Sequence, residues 1–476
     1  MNHFLSKIIL CSCLYFFSSC GLINGEDALD YKEMVKGCTN KNVIMMVCDG
    51  CGFNQFIAAD YFNYGEKGQQ PFYSFPVTIA MSTYSKSANV YSSQKAYSIP
   101  DWVRSKFTDS GASATALATG VKTNNNSIGV NSDKNPVKNV TEVAHETGRS
   151  AGVVTSMPIS HATPAGFTVH QASRTNYTEI AQNMITNTHL DVILGAGHPL
   201  FDNNGVAVSA EVVLDSLGNS IGGTPFYDYI GGASLYEKLK AGTATNLDGS
   251  WAFIESLSDF EKYASFSSDS LPDRLIGIAP VLYSLQSSRG NGPMPSDTIV
   301  GEHPKNTTVP DLKTMSQIAL NLLNKNENGF FLMIEGGAID AAAHEKSIAR
   351  TIEEMTDFTA TVEQVIFWIE NHGGFEENLL IITADHETGF LIGPNGYTDK
   401  TIDYDLINNG KGKVPGHSFH SSAHTNQLVP LFAKGECAES IEKTLQGIDF
   451  RHGSYTDNAV LGTLIHHILI ESMPAE

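Results

Sequence analysis

The chain has 476 residues, with 30 Lys and Arg against 51 Asp and Glu and a formal net charge of −21. Hydrophobic residues make up 41% and charged residues 17%, which is the composition of folded protein rather than disordered chain. The acidic excess excludes nucleic acid as a binding partner, because the chain repels a phosphate backbone.

Residues 1–19 read as a secretory signal. Lys7 precedes an apolar run from Ile8 to Phe17, and Ser18-Ser19-Cys20-Gly21 follows. The small residues before Cys20 look like a lipoprotein cleavage site. Cys20 is then the lipidated first residue of an exported protein, periplasmic or on the cell surface, with a membrane attachment. Phe17 stands where such sites usually carry Leu, and ordinary signal cleavage nearby is the alternative. Residues 20–476 are expected to form a single domain. Cys38, Cys48, Cys51 and Cys437 are too few and too scattered for a disulfide framework, and their pairing is left open. Cys48-Asp49-Gly50-Cys51 has redox-motif spacing; two small buried thiols flanking a strand end are the preferred reading.

Short apolar runs then recur along the chain, each ending in polar residues. Val43 to Cys48 runs into Asp49, Ser150 to Thr155 into Ser156, Leu190 to Leu194 into Gly195, Phe330 to Ile334 into Glu335, and Leu379 to Thr383 into Asp385-His386. Leu428 to Ala433 follows His424. Apolar runs without alternation suit strands buried on both faces. Helical patterns lie between them at 111–119, 140–147, 177–186, 313–324 and 348–371. The alternation predicts an α/β fold: a doubly wound, mostly parallel central sheet flanked by helices. From about 198 to 310 the rhythm breaks in a Gly-, Ser- and Asn-rich stretch, read as one long insertion. A second irregular stretch covers 391–422. The C-terminal Val460 to Ile470 run is too short to span a bilayer.

In such sheets ligands gather at the carboxyl ends of strands, where Asp49, Glu335, Asp385 and His386 fall. Thr108 to Gly120 is dominated by small residues, so a helix there can approach other backbone closely. Asp109 or Ser110 is its natural N-cap. A serine at a helix start sits among unpaired N–H groups that favour a bound phosphate, although a plain capping serine has the same pattern. Asp109-Ser110-Gly111 also occurs around trypsin-like nucleophiles, but those place His and Asp before Ser, and the one comparable stretch here, 422–425, follows it. Asp340 and His344, four apart, share one face of a helix. Asp385-His386 and His424 add further carboxylate and imidazole. Each pair alone could be a salt bridge; together they form a metal-type set, with mixed carboxylate and His suited to Zn²⁺ and carboxylate with hydroxyl to Mg²⁺.

These segments, with His161-Ala162-Thr163-Pro164-Ala165 and Ala384-Asp385-His386-Glu387-Thr388-Gly389, make the chain closely resemble the alkaline phosphatase family. The resemblance spans about 43–433. It implies two Zn²⁺ and one Mg²⁺ per chain. Asp340, His344 and His424 would hold one Zn²⁺. Asp49, Asp385 and His386 would hold the other, with Ser110 as its exchangeable ligand. Asp49, Thr163 and Glu335 would hold Mg²⁺. It further implies hydrolysis of phosphate monoesters through a phosphoserine on Ser110, with Arg174 gripping the phosphate, His161 beside it, and a homodimer as one open assembly. Without the resemblance, Arg174 reads as a surface charge and Thr163 as a turn residue.

Some positions depart from the family pattern. Cys51 stands where Met is usual. His161 stands where some bacterial members carry Asp, which bears on the metal chosen at the Mg²⁺ site. Ala341 stands where members carry Lys, His or Trp, which suggests a missing water-mediated phosphate contact. Rival readings are a phosphodiesterase or sulfatase on the same sheet, and a metal-binding surface protein without catalysis. The formylglycine sulfatase stretch C-x-P-x-R is missing from the sequence, and diesterases often use Thr as nucleophile.

Overall fold

The computed structural model describes residues 29–208, 213–214, 220–221, 225–398 and 401–473. The signal segment 1–19 and Cys20 lie outside the described residues. The described residues from Tyr31 to Met473 form one compact unit.

Its frame is an eleven-stranded sheet: β1 (Asn42–Cys48), β2 (Val77–Ser82), β3 (Ser150–Pro158), β4 (Val192–Ala196), β5 (Ala252–Ile254), β6 (Leu275–Ile278), β7 (Phe330–Gly336), β8 (Asn378–Thr383), β9 (Val429–Lys434), β10 (Gly447–Asp449) and β11 (Gly453–Asp457). The spatial order is β10-β11-β2-β9-β8-β1-β7-β3-β4-β6-β5. From β8 to β5 every neighbouring pair is parallel. Beyond β8, β9 runs antiparallel to both β8 and β2. Every residue of β1, β7 and β8 is buried, because helices cover both faces of the sheet's centre.

The helices used below are α1 (Phe53–Tyr64), α2 (Ser110–Thr119), α3 (Val140–Glu146), α4 (Ala162–Thr168), α5 (Tyr177–Thr186), α6 (Leu312–Leu323), α7 (Ala338–His344), α8 (Ile348–Asn371) and α9 (Asn458–Glu471). One group packs α2 against α4 and α9; the other packs α8 against α6, α7 and α1. The small-residue composition of α2 has the expected use. All ten of its residues are buried. A Cβ on Gly166 of α4 would lie 2.7 Å from the Ala114 Cβ, and one on Gly462 of α9 would lie 2.4 Å from the Ala116 carbonyl oxygen. Backbone therefore meets backbone on two sides of α2, and larger side chains would part the helices.

One sequence reading changes, and one open pairing is filled. Cys48 and Cys51 are not separate thiols but a disulfide across the end of β1. Cys38 and Cys437, 399 residues apart, form a second disulfide with Cα atoms 5.8 Å apart. Chain spacing hides this pairing, because only the sheet topology brings the residue before β1 next to the one after β9. The 198–310 stretch, read as one long insertion, contributes β5 and β6, which extend the parallel sheet at one edge. No helix among the described residues is long and apolar enough to cross a membrane.

Candidate active site

Strand register builds the site. Val47 of β1 pairs with Thr383 of β8 and Glu335 of β7, and Glu335 pairs with Thr155 of β3. β8, β1 and β7 therefore end within a residue of one another, beside Thr155 of β3, and the residues at and just beyond these ends meet. Asp49 is fully buried there, and neither carboxylate oxygen has a hydrogen-bond partner. Asp385 Oδ1 accepts from the N–H groups of Gly50 and His386, at 3.1 and 2.9 Å, while its Oδ2 lies 3.1 Å from His386 Nε2. That same nitrogen is 3.6 Å from Asp49 Oδ1 and 3.1 Å from Ser110 Oγ.

Ser110 reaches this point because it opens α2. Asp109 is the N-cap, and its Oδ1 accepts from the Ala112 N–H at 3.0 Å. The other oxygen, Oδ2, accepts from Arg174 Nη1 at 3.0 Å and from the Asn126 N–H. Arg174 is thereby fixed beside the serine. Burial opposes its charge, but Asp109 outweighs that and raises its pKa further.

A second group lies alongside. His344 Nε2 is 3.2 Å from Asp340 Oδ2, His424 Nε2 is 3.6 Å from Asp340 Oδ1, and the two imidazole nitrogens are 3.1 Å apart. Their far nitrogens are held by backbone carbonyls, His344 Nδ1 by Ser422 and His424 Nδ1 by Thr108. A ring N–H donated to a carbonyl leaves the other nitrogen as the electron-pair donor, the arrangement a metal-binding histidine uses. Rings of His386 and His424 stack with centroids 3.5 Å apart and join the two groups. Within the described residues, two sets of ligand atoms have cation-holding proximity here: Asp49, Asp385 and His386, and Asp340, His386 and His424.

The third group is deeper. Glu335 is fully buried, with Oε2 accepting from the Thr155 hydroxyl and Oε1 unpartnered. Thr163 Oγ1, in the first turn of α4, is buried and unpartnered, and so is Nδ1 of His161, the α4 N-cap.

Electrostatics shows what this cluster lacks. Burial, then Asp385, Asp340 and Glu335, pushes Asp49 well above the usual carboxylate range. Burial and Asp340 push Asp385 up to about 7. Burial raises Glu335. Burial would also raise Asp340, but His344, His424 and His386 outweigh it and hold it well below its ordinary value. Burial and Arg174 hold His161 down at about 3, so its ring is neutral. Buried carboxylates with bare oxygens are costly unless cations or donors complete them. The donor set suits metal: imidazoles and carboxylates in two groups, and carboxylates with a hydroxyl in the third. Burial lowers His386 and His424, whereas Asp340 outweighs burial at His344 and pushes it up to about 9.

Every site residue expected from sequence lies in this cluster or directly against it. Three others belong with them: Asp109 behind Arg174, Thr155 on Glu335, and Thr388, whose hydroxyl donates to Asp340 Oδ1. The sequence marks Asp109 only as a cap. Thr155 ends an expected strand, and only the register places it opposite Glu335.

The alkaline phosphatase family model matches residues 40–228 and 294–444. Alkaline phosphatase 3 of Bacillus subtilis (strain 168) is 27% identical over 405 residues, which is 83% of this chain and 72% of its own. Alkaline phosphatase of Escherichia coli (strain K12) is 26% identical over 468 residues, 92% of this chain and 90% of its own. A solved variant of TAB5 alkaline phosphatase, from an Antarctic bacterium, superposes with a TM-score of 0.59 at 23% identity, over 93% of this chain and 100% of that one; it has Mg bound in its M3 site. The matched segments carry the whole cluster from Asp49 to His424. The chain belongs to the alkaline phosphatase family and is a phosphoric monoester hydrolase.

Proposed function

We propose that the chain cleaves phosphate monoesters through a phosphoserine on Ser110, with two Zn²⁺ and one Mg²⁺ at the strand ends. Asp340, His344 and His424 would hold one Zn²⁺, and Asp49, Asp385 and His386 the other, beside Ser110. Asp49, Thr163 and Glu335 would hold Mg²⁺. The observation that carries this reading is the set of buried oxygens without partners, on Asp49, Thr163, Glu335 and Asp385. Each such group costs about 1–3 kcal/mol if left bare. Bound cations supply Lewis-acid stabilisation of the reacting oxygens and lower the pKa of a hydroxyl or water they touch.

The chain's own residues do the rest. Ser110 Oγ forms a bond to phosphorus as the ester P–O bond breaks and the alcohol departs. Water then attacks the phosphoserine, which releases inorganic phosphate and restores the Ser110 hydroxyl. The unpaired N–H groups at the start of α2 favour the phosphoryl group at that position. Arg174, anchored by one nitrogen to Asp109, keeps further N–H donors for phosphate oxygens, and its planar fork suits two at once. His161, neutral and buried, lines the site without adding charge. The acidic surface repels a phosphate dianion only weakly, because screening acts within about 8 Å at physiological salt.

The N-terminal segment supports export, with a lipid on Cys20 attaching the protein to a membrane in the periplasm or at the cell surface. A homodimer is the assembly the family suggests. The test of the chemistry is a chromogenic phosphate monoester, its diester and a sulfate ester, assayed with Zn²⁺ and Mg²⁺ and after chelation. Strong, chelator-sensitive monoester turnover is expected. Dominant diester or sulfate turnover would move the reaction class, and no turnover in the metal-loaded protein would favour a binder.

A further inference from the structure

Outside the catalytic cluster, another group of ligand-type side chains meets at the surface. His145 lies in the last turn of α3, His189 follows α5, and Asp248 sits in the turn between the bridged residues Thr245 and Ser250. His189 Nδ1 is 3.0 Å from both Asp248 carboxylate oxygens. The rings of His145 and His189 stack with centroids 3.6 Å apart and planes 9° from parallel. Ligand atoms from all three residues lie within 4.8 Å of one another. The turn is braced: Asn246 Oδ1 accepts from the N–H groups of Asp248 and Gly249, and its amide donates to the Leu190 carbonyl at 2.8 Å. A cavity of about 270 Å³, lined in part by His170, His189 and Leu247, opens alongside.

We propose that His145, His189 and Asp248 bind a late first-row divalent cation, Zn²⁺ above all, at a site separate from the catalytic centre. Two imidazole nitrogens and one carboxylate select such an ion over Mg²⁺ or Ca²⁺, which prefer all-oxygen shells. In a tetrahedral Zn²⁺ complex with bonds of 2.0–2.1 Å, neighbouring ligand atoms stand about 3.3 Å apart. The 3.0 Å contact between His189 and Asp248 is close to that edge, so an ion needs side-chain adjustment rather than backbone movement. Rotation of the stacked rings turns their lone pairs toward one point, and solvent fills the fourth position. Carboxylates nearby favour a cation: Asp191 and Asp248 repel one another, and Glu146 adjoins His145. Two basic groups oppose this: Arg274 acts on Asp191, and Lys138 pairs with Glu146 at 2.7 Å.

The site spans two parts of the chain. His145 and His189 lie in segments the family model matches, whereas Asp248 lies in the 229–293 stretch between the matched segments. A bound ion therefore clamps this stretch to the family core beside α3 and the start of β4.

The test is calorimetric titration of Zn²⁺ into the holoenzyme with its catalytic sites already saturated, for the wild type, Asp248→Asn and His189→Ala. The wild type should bind one more Zn²⁺ per chain than either variant, and Zn²⁺ should raise the melting temperature of the wild type alone. Loss of one ligand of three should weaken the site by more than about tenfold. Monoester turnover should be the same in all three. His145→Asn, at an exposed helix end, provides a variant whose folding is least at risk. Equal Zn²⁺ stoichiometry in the wild type and His145→Asn would overturn the proposal, as would Cu²⁺ bound in place of Zn²⁺ with no nitrogen ligands in its EPR spectrum.

Discussion

Replacing Cys38 and Cys437 together by Ser should lower the melting temperature by about 6 °C and leave turnover intact. The bond closes a loop of 399 residues. Loop-closure entropy for roughly 400 residues corresponds to about 6 kcal/mol at 25 °C. An unfolding entropy of about 2.1 cal/mol/K per residue over roughly 450 residues is about 0.9 kcal/mol/K, so the shift is about 6 °C. Turnover should survive because the bond sits at the opposite end of the central strands from the site. Lys434 of β9 pairs with Leu380 near the start of β8, and Cys437 follows it. Cys38 precedes β1, whose seven residues place Asp49 roughly 20 Å away along the strand. The assay is scanning calorimetry of the metal-loaded protein at one scan rate, with monoester turnover at 25 °C. An unchanged melting temperature, with the bond shown to be formed in the wild type by thiol titration, would refute the loop-closure reasoning. Lost turnover at unchanged metal content would refute the separation of this end of the strands from the site.

Three further outcomes are expected. Burial, then Asp357, pushes Glu354 up to about 8. A folded pKa above the unfolded one means the protonated side chain's stabilising contribution is complete below about 4.5 and lost as pH rises through about 8. The wild type should therefore lose about 1.4 kcal/mol per pH unit across that window relative to Glu354→Gln in urea unfolding; parallel pH curves would contradict this. Gly166→Ala should separate α4 from α2, because the added Cβ meets Ala114 at 2.7 Å. The expected cost is about 1–3 kcal/mol of stability, with turnover falling as Thr163 and Ser110 move apart; a variant with wild-type melting and turnover would contradict it. Thr155→Val removes the hydroxyl that donates to Glu335. Mg²⁺ should then activate about 10–100-fold less tightly, measured by titrating Mg²⁺ into Zn²⁺-loaded enzyme. Unchanged activation would separate Glu335 from the Mg²⁺ site.

The centre of the sheet was legible because strands buried on both faces need unbroken apolar runs. Val43 to Cys48, Phe330 to Ile334 and Leu379 to Thr383 have them, and all are buried. Site residues were legible for a related reason: Asp49, Glu335 and Asp385-His386 interrupt apolar sequence where a strand stops. Toward the edges the signal fades. β2 exposes Thr78 in mid-strand, and β5 and β10 have three residues each. Such segments become strands through their neighbours rather than through local pattern. β5 and β6 were hidden in a Gly- and Ser-rich stretch for that reason. Partnerships set by register or topology were also out of reach: Thr155 with Glu335, Asp109 with Arg174, and Cys38 with Cys437 are separated by 180, 65 and 399 residues. Asp109 shows the limit well, since its capping role is local and visible, while its hold on Arg174 depends on where the chain returns after α4.

The most direct test of Ser110 as the nucleophile is Ser110→Ala, assayed for turnover and metal content on the same preparation, with acid-quenched wild type digested and searched for phosphopeptide. Turnover should fall by more than about a thousandfold with the metals retained, and phosphate should be found on the peptide carrying Ser110. Full turnover in Ser110→Ala, or covalent phosphate on another residue, would contradict the assignment.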